Sequence, residues 1–185
     1  MRKFNVTGIC VPDKHYMVDI SEKIEQIFQL VEDQSYFTIN RGRQYGKTTT
    51  IGRLKKRMSK DYICASISFQ YSGNGMFDDN KGFCQGFLER VRRSLSMEHK
   101  EEAKLWIDES VTDFRKLDYF ITERCTDKKI VLIIDEADEA GNNDIFITFL
   151  KMLRDKFLFR SAGEDYTFHS VILAGVYDVR NLKQK

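Results

Sequence analysis

Five consecutive apolar residues, Ile130-Val131-Leu132-Ile133-Ile134, run directly into a pair of carboxylates, Asp135-Glu136. A strand with one face in water alternates polar and apolar positions. A run with no polar position reads as a strand covered on both faces, as in a parallel sheet between helices. The acidic pair then falls at the carboxyl edge of that sheet, where open α/β folds gather their ligands.

The rest of the chain supplies matching elements. Asp19 followed three residues later by Glu22 has the form of a capping box, opening a helix that carries Ile20, Ile24, Ile27, Phe28 and Val31 at helical spacing. Tyr36 to Ile39 is a short β-rich run that ends at Asn40 and a glycine-containing turn, and a helix with Ile51, Leu54 and Met58 follows. Tyr62 to Phe69 reads as a second strand, with Ser72 to Gly75 as a loop. Helical spacing recurs around Phe83, Phe87, Val91 and Leu95, and around Val111, Phe114, Leu117 and Ile121. The charged stretch Glu98 to Lys104 between them reads as solvated surface. After the acidic strand come a helix with Ile145, Phe146, Phe149, Leu153 and Phe157, and a fourth strand from Phe168 to Ala174. The expected fold is α/β, a central parallel sheet flanked by helices.

A chain of 185 residues fits one domain over 1–185, with an N-terminal segment and helix over 1–34 and the core over 35–185. A net charge of +2 makes no case for nucleic acid held by bulk electrostatics. Cys10, Cys64, Cys84 and Cys125 form no C-x-x-C pair, and His15, His99 and His169 lack ligand spacing. With no secretory leader and no apolar run long enough to span a bilayer, the expected location is cytoplasmic, without a membrane partner.

The segment Gly42-Arg43-Gln44-Tyr45-Gly46-Lys47-Thr48-Thr49 lies between the first strand and the second helix. Glycines let successive N–H groups converge on an anion, and the helix start adds its positive end. Lys47 is expected to reach the β- and γ-phosphates, and Thr48 to offer its hydroxyl to Mg²⁺. Three residues separate Gly42 from Gly46, and Arg41 stands where the usual four-residue spacing puts the first glycine. Taken alone, the fragment also reads as an ordinary strand-to-helix turn. Its partner is the acidic strand end, a Walker B arrangement in which Asp135 is expected to hold Mg²⁺ and Glu136 to orient or deprotonate the attacking water. Asp followed by Glu further resembles the branch of P-loop proteins that has an extra strand between the phosphate-loop strand and the acidic strand. Phe168 to Ala174 is the candidate for it.

Together these residues resemble the AAA-like ATPases, near the archaeal-type and signal-transduction (STAND) branches. The likeness runs through Val11 to Asp19, Arg43 to Thr49, Ile133 to Asp138, Phe149 to Arg154 and Ser170 to Val176, nearly the whole chain. The shortened spacing before Gly46 is similar to the loop of that group. The resemblance implies ATP and Mg²⁺ as cofactors, with Tyr16 to Val18 lying against the adenine. It implies a polar residue after the fourth strand, for which Asp178 or Arg180 stands available, and an arginine finger, for which Arg154 and Arg160 are candidates. The family continues into a fifth strand and a helical lid, so the chain is expected to be a truncated core.

Three functions remain open on this reading: hydrolysis of ATP to ADP and phosphate, a nucleotide-binding switch with little turnover, and a fragment that does not hydrolyse. Partners beyond ATP are a homo-oligomer or an effector protein. A helicase is disfavoured even though Asp135 to Asp138 spells DEAD, because no basic groove is visible.

Overall fold

The computed structural model describes residues 18–40, 46–70 and 75–175. The acid-tipped run forms strand β3 (Ile130–Asp135) of a four-stranded parallel sheet. The other strands are β1 (Tyr36–Asn40), β2 (Ile63–Ser68) and β4 (Ser170–Gly175), in the order β1-β4-β3-β2. The last of these therefore lies between the phosphate-loop strand and the acidic strand, as the Asp-Glu pair predicts. Tyr36 pairs with Val171 and Asn40 with Gly175 on one side of β4, and Ile134 pairs with Leu173 on the other.

Alternation along β3 builds two cores. Val131 and Ile133 join Cys64, Ile172 and Ala174 under α1 (Ser21–Glu32) and α2 (Lys47–Met58). Ile130, Leu132 and Ile134 face the larger core, with Phe83 and Phe87 of α3 (Asn80–Leu95), Leu117 of α5 (Phe114–Cys125), and Phe146 and Phe149 of α6 (Asp144–Ser161). All five apolar residues of β3 are fully buried. Burial of such side chains contributes about 1.5–3 kcal/mol each. This offsets the roughly 1–2 kcal/mol per residue of backbone entropy lost on ordering the strand.

The helix boundaries depart from the sequence expectation in three places. Helix α1 starts at Ser21, because Asp19 Oδ1 accepts from the Ser21 amide (2.9 Å) and hydroxyl (2.6 Å) instead of capping at Glu22. This local Asx turn competes with the capping box. Helix α5 starts at Phe114, capped by Asp113 Oδ1 on the Lys116 amide (3.0 Å), so Val111 is buried from the preceding loop. The charged stretch contains a short helix, α4 (Lys100–Lys104), and is not simply solvated. Its Glu102 accepts from Lys128 Nζ (2.6 Å) and from the indole of the fully buried Trp106 (3.1 Å).

Two cations are structural. Lys156 is 2% exposed, and its ammonium meets Asp118, Asp165 Oδ2 (2.6 Å) and Thr122 Oγ1 (2.7 Å), joining α6 to α5 and to the approach to β4. Arg160 donates to the carbonyls of Phe168, His169 (2.9 Å) and Gln34 (2.7 Å). That half-buried guanidinium is fixed at the amino edge of the sheet, opposite the edge that carries Lys47. Cys64, Cys84 and Cys125 are buried and free, and burial pushes each thiol up to about 12. Among the described residues no helix is long and apolar enough to cross a membrane.

Candidate functional site

The chain leaves β1 at Asn40 and enters α2 through Gly46, whose φ of +75° is left-handed. A glycine takes that conformation without strain. No side chain caps α2 and no acidic residue lies in its first turn, so its positive end faces the carboxyl edge of the sheet uncompensated by its own residues. Thr50 closes the turn, its amide and hydroxyl both donating to the Gly46 carbonyl (2.8 and 3.0 Å).

Lys47 is the first residue of α2 and only 8% exposed. Asp135 shares the face of β3 that Val131 and Ile133 present to α2, because side chains alternate along a strand. The Lys47 ammonium accordingly lies 2.9 Å from Asp135 Oδ1 and 2.8 Å from Glu136 Oε1. Both carboxylate oxygens are within hydrogen-bond reach of the buried ammonium, which is held between its two counter-charges. Burial works to lower the Lys47 pKa, but the contacts with Glu136 and Asp135 outweigh it and the net shift is upward. The side chain is therefore charged at neutral pH.

Glu136 sits just past the strand with φ 53° and ψ 41°. A non-glycine residue in that region is strained. Its amide donates to Asp135 Oδ1 (2.9 Å), and a 3-10 turn, Ala137–Ala140, follows at once. The left-handed turn lets adjacent residues 135 and 136 bring both carboxylates to one ammonium. Asp138, inside that turn, has a buried Oδ1 that no donor reaches among the described residues. It lies against the end of β4, where a Cβ on Gly175 would come within 2.6 Å of that oxygen.

Of the residues the sequence singles out, Lys47, Asp135 and Glu136 are thus brought together. Thr48 is exposed in the first turn of α2, Thr49 is half-buried beside it, and Val18 is 81% exposed ahead of α1. Tyr16, Gly42, Arg43, Gln44, Tyr45, Asp178 and Arg180 lie outside the described residues. Arg154 lines a groove of about 350 Å³ with Tyr36, Thr38, Leu150, Phe157 and Leu173. That groove is apolar and separate from the Lys47 cluster, so it is a poor seat for phosphates. Asp138 and Gly175 went unremarked as site residues in the sequence. The only signal was a third acid two residues past Glu136.

Among the described residues no three of His, Cys, Asp or Glu are gathered to hold a metal by themselves. Mg²⁺ characteristically takes one or two carboxylates and completes its shell with water and substrate phosphates. A carboxylate such as Asp135 and a hydroxyl such as Thr48 are residue types that suit such an ion.

A search of curated proteins finds no match to the chain. The parallel sheet with a strand inserted between the lysine-bearing turn and the acidic strand end is the P-loop nucleotide-binding architecture. The model of the AAA-like domain matches residues 12–174 of the 185, and the chain belongs to that family of nucleotide-binding, ATPase-type domains.

Proposed function

We propose that the chain binds Mg-ATP at the carboxyl edge of β1, β4 and β3 and hydrolyses it to ADP and phosphate. The observation that carries this reading is the buried Lys47 ammonium held between Asp135 and Glu136. A cation so placed exchanges carboxylate neighbours for phosphate oxygens when a triphosphate enters. In this reading the glycine-containing turn, Gly42 to Gly46, and the start of α2 cradle the phosphates, and Lys47 bridges the β- and γ-groups. The Thr48 hydroxyl and Asp135 hold Mg²⁺, which when bound neutralises charge on the transferring phosphoryl group. Glu136 accepts a proton from the water that attacks the γ-phosphorus as the bond to the ADP oxygen breaks. Tyr16 and Val18 supply the adenine contact.

The switch reading draws on the same observation. Releasing Glu136 and Asp135 from Lys47 on binding changes the contacts of the strained turn after β3, and a partner can read that change without turnover. Phosphate release by wild type and by Glu136→Gln separates the two. A wild-type rate no higher than that of the variant leaves only the switch. Binding is tested by thermal shift with ATP and GTP, with and without Mg²⁺, since a ligand stabilises in proportion to the logarithm of its concentration over its Kd. Failure of every nucleotide to stabilise the protein would overturn both readings. Buried, free thiols support a reducing, cytoplasmic setting.

A further inference from the structure

We infer that Gly175 and Asp138 are positioning residues for Glu136, a role that rests on the hydrolytic reading above. Glu136 is held in a left-handed conformation that a glutamate does not choose. Such a conformation persists only when its surroundings over-determine it. On its N-terminal side the restraint is visible: its own amide is tied to Asp135 Oδ1 at 2.9 Å. On its C-terminal side the chain passes straight into the 3-10 turn Ala137–Ala140, and that turn must be fixed to something. Ala137 and Ala140 are buried beneath it (0% and 4% exposed), which seats the turn on the core but leaves its rotation open.

The rotation is set where Asp138 meets β4. Its Oδ1 occupies the space that a side chain at Gly175 would need, and an added Cβ there would stand 2.6 Å from the oxygen and 3.2 Å from the carboxyl carbon. Real Cβ atoms do not approach so closely, so one of the two partners would have to move. Asp138 is one residue into the turn and two beyond Glu136; its carboxylate yields first, and because its Cγ and Cβ stand only 3.2 and 3.5 Å from the added methyl, part of the displacement passes to the turn that carries Glu136. Among the described residues no donor reaches the buried Oδ1. Gly175 also pairs in register with Asn40, the last residue of β1 before the phosphate-loop turn. The end of β4 thus touches the strand that leads to Lys47 on one side and the turn that carries Glu136 on the other.

In the reaction, the water oxygen bonds to the γ-phosphorus, the bond from phosphorus to the bridging oxygen breaks, ADP leaves, and the water proton passes to Glu136. Asp138 and Gly175 exchange nothing. Their effect is on where the accepting oxygen stands, and a misplacement of about 1 Å costs on the order of a hundredfold.

The test is a double-mutant cycle on the full chain, read as steady-state ATP turnover with Mg-ATP affinity measured separately by calorimetry. Gly175→Ala is expected to lower kcat about ten- to hundredfold while leaving Mg-ATP affinity within about twofold. Asp138→Ala lowers kcat less. The double variant turns over at the Asp138→Ala rate, because the added methyl group no longer meets a carboxylate. An equal factor for Gly175→Ala in both backgrounds, or a loss confined to affinity or melting temperature, would overturn the inference. A wild type that hydrolyses no faster than Glu136→Gln would overturn the hydrolytic reading and this one with it, and that control is read before the cycle begins.

Discussion

The Lys47 ammonium and the Glu136 carboxylate stand 2.8 Å apart, on elements nearly ninety residues distant in the chain. On the proposed hydrolytic reading, that ion pair competes with phosphate for the same cation, and replacing Glu136 by Gln removes one competitor and the proposed proton acceptor together. Calorimetry is expected to show Mg-ATP affinity equal to or a few-fold above wild type, while a phosphate-release assay shows turnover lower by about 10²–10⁴. A variant that lost affinity in parallel with turnover would contradict the arrangement.

Lys47→Ala is expected to abolish nucleotide stabilisation. At a hundred times its Kd, ATP stabilises wild type by about 2.7 kcal/mol. For a chain of this size that is a rise of roughly 5–10 °C in Tm. The variant should show none of it in the same thermal-shift series.

Gly46 and Gly52 make a matched pair on α2. No atom lies within 4 Å of a Cβ at either position, but Gly46 has a φ of +75° whereas Gly52 is helical. Gly46→Ala is therefore expected to cost about 1 kcal/mol through backbone strain alone. Gly52→Ala is expected to add about 0.5–1 kcal/mol through helix propensity. Urea unfolding followed by the fluorescence of Trp106, the sole tryptophan, measures both.

Lys156→Met leaves Asp118 and Asp165 side by side without their cation. Asp118 is 40% exposed and recovers part of its hydration, so the expected loss is about 3 kcal/mol, the low end for a broken buried pair. Burial works to raise the Asp165 pKa, but Lys156 and Thr122 outweigh it and hold the carboxyl below its usual range. Its contribution is thus present above about pH 4 and fades as pH falls through the folded-state value. The deficit of the variant, measured by urea titration, should shrink in acid.

His169 titrates in the same sense, in a higher pH window. Burial, then the nearby charges of Arg160 and Lys129, depress its pKa below 6.5, and its ring packs against Tyr62 in a tilted arrangement with centroids 5.0 Å apart. The unfolded chain binds that proton more readily, so stability is full above about pH 6.5 and declines as pH drops toward the folded-state pKa. His169→Phe should keep the ring contact and flatten the stability profile between pH 7 and 5.

The sheet was legible because its evidence is local and redundant. An unbroken run from Ile130 to Ile134 admits few other fates, and the Asp135-Glu136 ending both marks the site and anticipates where β4 lies. The lysine and its acids follow from that topology. What stayed hidden depends on distant or sub-residue geometry. Lys156 looks like any helix-surface lysine until Asp118 and Asp165, from two other segments, close around it. Asp19 offers the same side chain to a capping box or an Asx turn, and only the backbone path decides. The left-handed turn at Glu136 and the room left by Gly175 are properties of dihedral angles, which residue types alone do not encode.

Tyr36 to Asn40 pair with residues 171–175, so the strand carrying the phosphate-loop turn finds its neighbour only after more than 130 intervening residues. Contacts so remote in sequence form late and slowly. During synthesis Lys47 emerges well before Asp135, and β1 waits with both backbone edges bare until the final described strand slots in beside it. Nascent chains halted before residue 170 should therefore be unable to recognise nucleotide and be prone to misassembly through those open edges. On this view, the arrival of β4 beside β1 is itself the event that completes the proposed pocket.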